Sequence, residues 1–215
     1  MIHNLARKIA SWLSKELEQE ERAAVMAYGL ELLLGAVVKV VCFVTIPLLL
    51  GILPQVMAVL LASVVFRLAA GGAHCTAYYR CLIGSLTTFT GLGFLARWLP
   101  ETDIPAQGMA LAATLFAVIV ALFRAPADTP AKPITRVGHR RALKVISLLV
   151  PLCYVAVVWF FPLRRDLVAA SALGLAFQSF TVTPAGYRFI EWLDVFLGRL
   201  HSILIPGKGG VKNAA

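Results

Sequence analysis

Six apolar runs dominate this chain and leave few folds open to it. The first, LELLLGAVVKVVCFVTIPLLLGIL at about residues 30–53, matches the ~20 residues a helix needs to cross the hydrocarbon layer of a bilayer. Others follow at about residues 55–70, 81–98, 107–124, 142–161 and 167–186. With 60% hydrophobic and only 14% charged residues, a water-soluble fold would lack the polar side chains to cover its surface. The expected fold class is therefore all-α, a polytopic membrane protein with six transmembrane helices.

The segments outside the runs set the expected organisation. Residues 1–24 read as an interfacial amphipathic helix, because Ile2, Leu5, Ile9, Trp12 and Leu13 recur near helical spacing beside Arg7, Lys8 and Lys15. That stretch lacks the unbroken apolar region and small-residue cleavage site of a removable signal peptide. Residues 25–200 form the six-helix domain, and residues 201–215 a short basic tail. The net charge of +9 does not point to nucleic acid, since the basic residues are scattered between apolar runs instead of forming a stripe with aromatics. They read as topology signals. Sixteen of the lysines and arginines fall on one side of the expected layout, and only Arg97, Arg164 and Arg165 on the other. Because basic residues are retained on the cytoplasmic side, both termini and the turn between the second and third runs are expected there.

That turn carries the chemistry. RLAAGGAHCTAYYRC, residues 67–81, places Arg67, a glycine pair, His74, Cys75 and Cys81 beside two membrane spans. A cysteine attacks as thiolate, and a histidine can take its proton. Adjacent helical residues diverge by ~100° while residues seven apart share a face, so His74 pairs better with Cys81 than with Cys75. Seven residues of unbroken helix would still separate them by ~10.5 Å of rise, beyond the ~3 Å of proton transfer. The pairing therefore requires a broken or re-entrant segment near Gly71–Cys81, with the glycines supplying the permissive backbone. Cys42 and Cys153, inside spans, read as small apolar packing residues, and a reducing cytoplasm disfavours a Cys75–Cys81 disulfide. The residues alone leave other readings open: a packed histidine and cysteine with Arg67 as a snorkelling anchor, a transporter or channel with Arg67 and His74 lining a polar path, or a thiol pair of Cys75 and Cys81. No inverted repeat supports transport, and no CxxC motif supports redox chemistry.

FRLAAGGAHCTAYYRC resembles the signature of the AgrB family, bacterial membrane endopeptidases that process quorum-sensing propeptides. The matching positions are Arg67, Gly72 at the end of the glycine pair, His74 two residues later and Cys81 seven beyond that. APADTPAKPI, residues 125–134, resembles the family's loop between its fourth and fifth spans, with Lys132 and Pro133 in the matching KPI. Some members carry consecutive lysines there, whereas this chain has the single Lys132, and Cys75 lies outside the motif. The resemblance implies a cysteine endopeptidase of the bacterial cell membrane with Cys81 as nucleophile and His74 as general base and acid. Its substrate would be an AgrD-like precursor peptide with an amphipathic leader, a cysteine-containing centre and an acidic tail, cyclised to a thiolactone or lactone after the tail is removed. A homodimer is implied, and neither cofactor nor metal. Arg67 and the backbone around Gly72 are the oxyanion candidates, while Lys132, Arg136 and Arg140 are candidates for attracting the acidic tail.

Overall fold

The computed structural model describes residues 2–16, 20–99, 105–127 and 136–204, and among these every regular element is a helix. The chain divides into two compact units, residues 1–49 and 50–215. The first unit holds α1 (Ile2–Glu16), a single 3-10 turn (Glu20–Arg22) and α2 (Ala23–Leu49). α1 packs along α2 and buries Ala6, Ala10 and Ser14, a spacing of four that brings small side chains to one face and lets two helices approach closely. Leu5 and Trp12 remain exposed while Ile9 and Leu13 are half-buried, so the apolar face read from the sequence is only partly covered.

The second unit holds α3 (Leu53–Ala70), α4 (Tyr78–Trp98), α5 (Ala106–Arg124), α6 (Val137–Phe160), α7 (Arg165–Thr181) and α8 (Pro184–Leu204). α7 is its centre and packs against α3, α4, α5 and α8. Its sequence explains that position, since Ala169, Ala170, Ala172 and Gly174 are small enough for neighbours to close on several sides, and all are buried. A side chain at Gly174 would stand 2.4 Å from the Val59 carbonyl oxygen, and Ser63 Oγ donates to the Gly174 carbonyl at 3.0 Å. α5 contributes a parallel stripe of alanines, Ala106, Ala110, Ala113, Ala117 and Ala121, to the same core. Large apolar side chains point outward instead: Leu68 is 78% exposed, Phe123 80% and Phe160 82%. Small residues inside and large apolar residues outside is the arrangement lipid favours, because lipid supplies no hydrophobic drive between helices and close packing must hold them.

Four helices, α2, α3, α5 and α6, are long and apolar enough to cross a membrane, or five if α7 and α8 together make one broken span. Helices stand at all six expected places, yet α4 is not apolar enough to be among the four. The sixth run was expected to continue to about residue 186; α7 instead stops at Thr181, and the chain resumes as α8 at an angle of 91°. α8 itself was not expected: its first residues were assigned to the end of the sixth span, and the rest, to residue 200, to the six-helix domain without a helix of their own. Residues 205–215 and the KPI of the 125–134 loop lie outside the described residues. Cys153, expected to be packed, is exposed on α6.

Candidate active site

The break expected between the second and third runs is present. α3 ends at Ala70, residues 71–77 are non-helical and α4 begins at Tyr78. Gly71 has φ +77° and Gly72 φ +135°, backbone that L side chains adopt only with strain. Backbone leaving a helix must find new partners, and here they come from Arg67 in the last turn of α3 and from remote positions. Gln178 Nε2 donates to the Gly71 carbonyl at 2.9 Å. Arg67 Nη2 donates to the Ala73 carbonyl at 2.5 Å and reaches the Gly72 carbonyl at 3.5 Å. The Ala73 N–H donates to the Thr181 carbonyl at 3.2 Å, and the Ala127 N–H to the Ala70 carbonyl at 2.9 Å. Arg67 Nη1 also donates to Gln178 Oε1 at 3.1 Å, which joins the two side-chain clamps into one. Lys144 Nζ donates to the Ala121, Leu122 and Ala125 carbonyls, tying α6 to the end of α5 from which Ala127 reaches Ala70.

The second half of the segment is held by α8. Asp194, 7% exposed, accepts from the Thr76 N–H at 3.2 Å and from Thr76 Oγ1 at 2.7 Å, and it pairs with Arg80 Nη1 at 3.1 Å. Thr76 thus precedes α4 with both its donors on one carboxylate. His74 is exposed and Cys75 partly buried. Cys81 lies in the first turn of α4, its N–H donating to the Ala77 carbonyl at 3.1 Å, at the helix end where the peptide dipoles favour negative charge. The Arg67 guanidinium is within electrostatic reach of the thiols of Cys75 and Cys81 and the phenol of Tyr187. Burial, with Cys81 and Asp194 adding to it and Arg80 and Arg67 opposing, pushes the Cys75 thiol up to about 11. Cys75 is therefore a thiol at neutral pH and a poor nucleophile.

Of the residues singled out in the sequence, Arg67, Gly72, His74 and Cys81 fall on or beside one non-helical segment. Arg136 and Arg140 are exposed at the start of α6, the end at which α5 meets Ala70, while Lys132 lies outside the described residues. Gln178, Thr181 and Asp194 escaped the sequence reading, although they hold the segment. The available signal was polarity out of place: a glutamine in an apolar run, and one of the two acids, Asp194, in the aromatic stretch YRFIEWLDVF. Among the described residues no three His, Cys, Asp or Glu side chains gather as metal ligands.

Comparison with known proteins agrees with the motif. The chain is 25% identical over 213 residues to a protein of Clostridium perfringens (strain SM101 / Type A) named for its likeness to AgrB, covering 93% of this chain and 100% of that one. It is 27% identical over 175 residues to a similarly named protein of Listeria innocua, covering 81% of this chain and 83% of that one. No solved structure matches. The profile of AgrB, accessory gene regulator B, matches residues 6–182, a span that takes in the glycine pair, His74, Cys81 and the core helix α7, and the chain belongs to that family.

Proposed function

We propose that this protein is a membrane-embedded cysteine endopeptidase and cyclase for an AgrD-like precursor peptide, with Cys81 as nucleophile and His74 as its proton acceptor. The observation that carries this reading is the non-helical backbone of residues 71–77. On a continuous helix the two residues would stand ~10.5 Å apart along the axis; the break removes that constraint, and the clamps from Arg67, Gln178 and Asp194 hold the bent backbone in place. The family supplies the substrate class.

In this mechanism Cys81 Sγ attacks the carbonyl joining the peptide's central segment to its acidic tail. His74 takes the thiol proton and returns it to the departing amine as the C–N bond breaks. The tail leaves with a new amino terminus, and the central segment stays on Cys81 as a thioester. A thiol or hydroxyl of that segment then attacks the thioester carbonyl, closing a thiolactone or lactone and restoring the Cys81 thiol. Water entering instead would give a linear acid, so a water-poor chamber favours the ring. Arg67, near Cys81 and already ordering the carbonyls of residues 72 and 73, supports the tetrahedral oxyanion together with the backbone around Gly72. Arg136 and Arg140, with Lys132, attract the acidic tail. Six helices cross the bilayer, both termini and the site face the cytoplasm, and the enzyme works as a homodimer. Trp192 and Phe196, exposed on α8 where it turns 91° from α7, suit a helix lying at the interface.

The test is co-expression with a candidate precursor, followed by its mass. Cys81→Ala and His74→Ala are expected to release no tail, and Cys75→Ala to process normally. Tail release by Cys81→Ala would overturn the proposal.

A further inference from the structure

The three basic residues that break the charge asymmetry of the chain, Arg97, Arg164 and Arg165, converge. With Gly51, Pro54, Gln55 and Asp166 they line a cavity of about 540 Å³. It sits where α3 and α7 begin and α4 ends, whereas Cys81 and its clamps sit where α3 and α7 end and α4 begins. The 18 residues of α3 span ~27 Å between these ends, about the thickness of a hydrocarbon layer. The cavity is thus at headgroup level on the face away from the candidate active site.

Its charges are ordered unequally. Arg164 makes a two-pronged pair with Asp166, Nε to Oδ1 at 3.1 Å and Nη2 to Oδ2 at 2.8 Å. Asp166 is fixed from below by Gln55 Nε2 at 2.7 Å, a side chain only 6% exposed. That pair is close to neutral. Arg97 has a neutral partner, donating to the Gly51 carbonyl at 3.1 Å, and Arg165 has no hydrogen bond or ion pair among the described residues. Two guanidinium charges therefore face the cavity uncompensated by any described carboxylate, and each keeps donors free in the planar fork that suits phosphate oxygens. Gln55 Oε1 is buried without a partner; as an acceptor it would be satisfied by a hydroxyl of a headgroup and not by the phosphate oxygens.

We propose that this cavity binds a phosphate anion, supplied by the headgroup of an anionic phospholipid such as phosphatidylglycerol. The site itself does not depend on the peptidase reading; only the choice of the outer leaflet rests on the topology proposed above. A phosphate between Arg97 and Arg165 neutralises basic residues on the side of the membrane where they are otherwise disfavoured. A zwitterionic choline headgroup brings its own cation and gains less.

The experiment uses the full chain in neutral detergent, titrated with dihexanoyl-phosphatidylglycerol, dihexanoyl-phosphatidylcholine and glycerol 1-phosphate, and reads bound lipid by native mass spectrometry. The glycerol lipid is expected to bind about tenfold tighter than the choline lipid, a difference of ~1.4 kcal/mol, and Arg97→Gln/Arg165→Gln to lose that margin. Arg165→Gln alone, altering one exposed side chain, is expected to lose part of it and serves if the double variant fails to fold. Competition by glycerol 1-phosphate at similar concentration assigns the site to phosphate itself; its failure to compete assigns the site to the lipid. Equal binding of the two lipids, as would follow if Glu101 and Asp103 outside the described residues already filled the arginines, overturns the proposal. So does unchanged phosphatidylglycerol binding by the double variant.

Discussion

Two breaks interrupt the helices of the second unit at the same end of the bundle, one between α3 and α4 and one between α7 and α8, and they are built in opposite ways. The second seals itself locally. Thr183 Oγ1 donates to the Phe180 carbonyl at 2.7 Å and accepts from the Gly186 N–H at 3.1 Å, Pro184 opens α8 at a position where its missing N–H costs nothing, and Val182 keeps helical geometry. The first is seven residues long and draws its partners from Arg67, Gln178, Thr181 and Asp194. Two of those lie at the end of α7 and one on α8, so the self-sealed break determines where the clamps of the open one stand. A locally closed turn is a robust corner. A segment held by distant side chains can be positioned finely, and can equally be disturbed from far away.

The sharpest way to break that comparison is Gly186→Ala. A Cβ there would stand 2.0 Å from the Phe180 carbonyl oxygen, so the corner must open; the expected cost is ~3 kcal/mol of stability, read as a lower unfolding temperature in detergent, together with loss of tail release. A variant that unfolds normally would show that the corner is not tight. Gly72→Ala should separate function from fold. Its Cβ would meet Gln178 Nε2 and Thr181 Oγ1 at 2.9 Å in a backbone at φ +135°, and a strain of ~1–3 kcal/mol at the segment should lower processing by ~100-fold while leaving helix content intact by circular dichroism.

A smaller effect is expected from Asp194→Asn, which keeps an acceptor for Thr76 but gives up the charge facing Arg80. Processing should fall by ~10-fold, mostly in kcat, since the amide oxygen still accepts from Thr76 while the charge that fixes Arg80 is gone; an unchanged kcat would free α8 from any part in positioning the segment. The last concerns Cys75 and leaves processing untouched. With its thiol pushed up to about 11, the proton stays on through neutral pH, because a raised acid pKa favours the protonated form. Alkylation of Cys75 at neutral pH should be ~100-fold slower than for an ordinary exposed thiol and should rise as pH approaches 11. Fast labelling at pH 7.5 would show that the burial of this segment is not maintained in solution.

Much of this was legible in the sequence. Hydrophobic runs of about twenty residues announce helices whatever their partners, and the Gly71–Gly72 pair marked the first break because glycine tolerates the left-handed backbone that other residues resist. The second break was not legible, since Thr183 and Pro184 sit in an apolar stretch that reads as one continuous span. Gln178 and Asp194 looked like isolated polar residues, and their value lies in carbonyls and donors more than a hundred positions away in the chain. The three arginines, Arg97, Arg164 and Arg165, read as exceptions to a charge rule until helix ends brought them together around one cavity.

By itself the sequence determined that the chain is helical and apolar, that it carries the AgrB signature, and that any pairing of His74 with Cys81 would require a bend between them, because composition and spacing are properties of the chain alone. Only the tertiary structure decided what holds the bend and where α8 turns. Backbone groups released from a helix take whatever donors and acceptors packing brings within ~3 Å, and that proximity exists only once α7 has been enclosed by its neighbours.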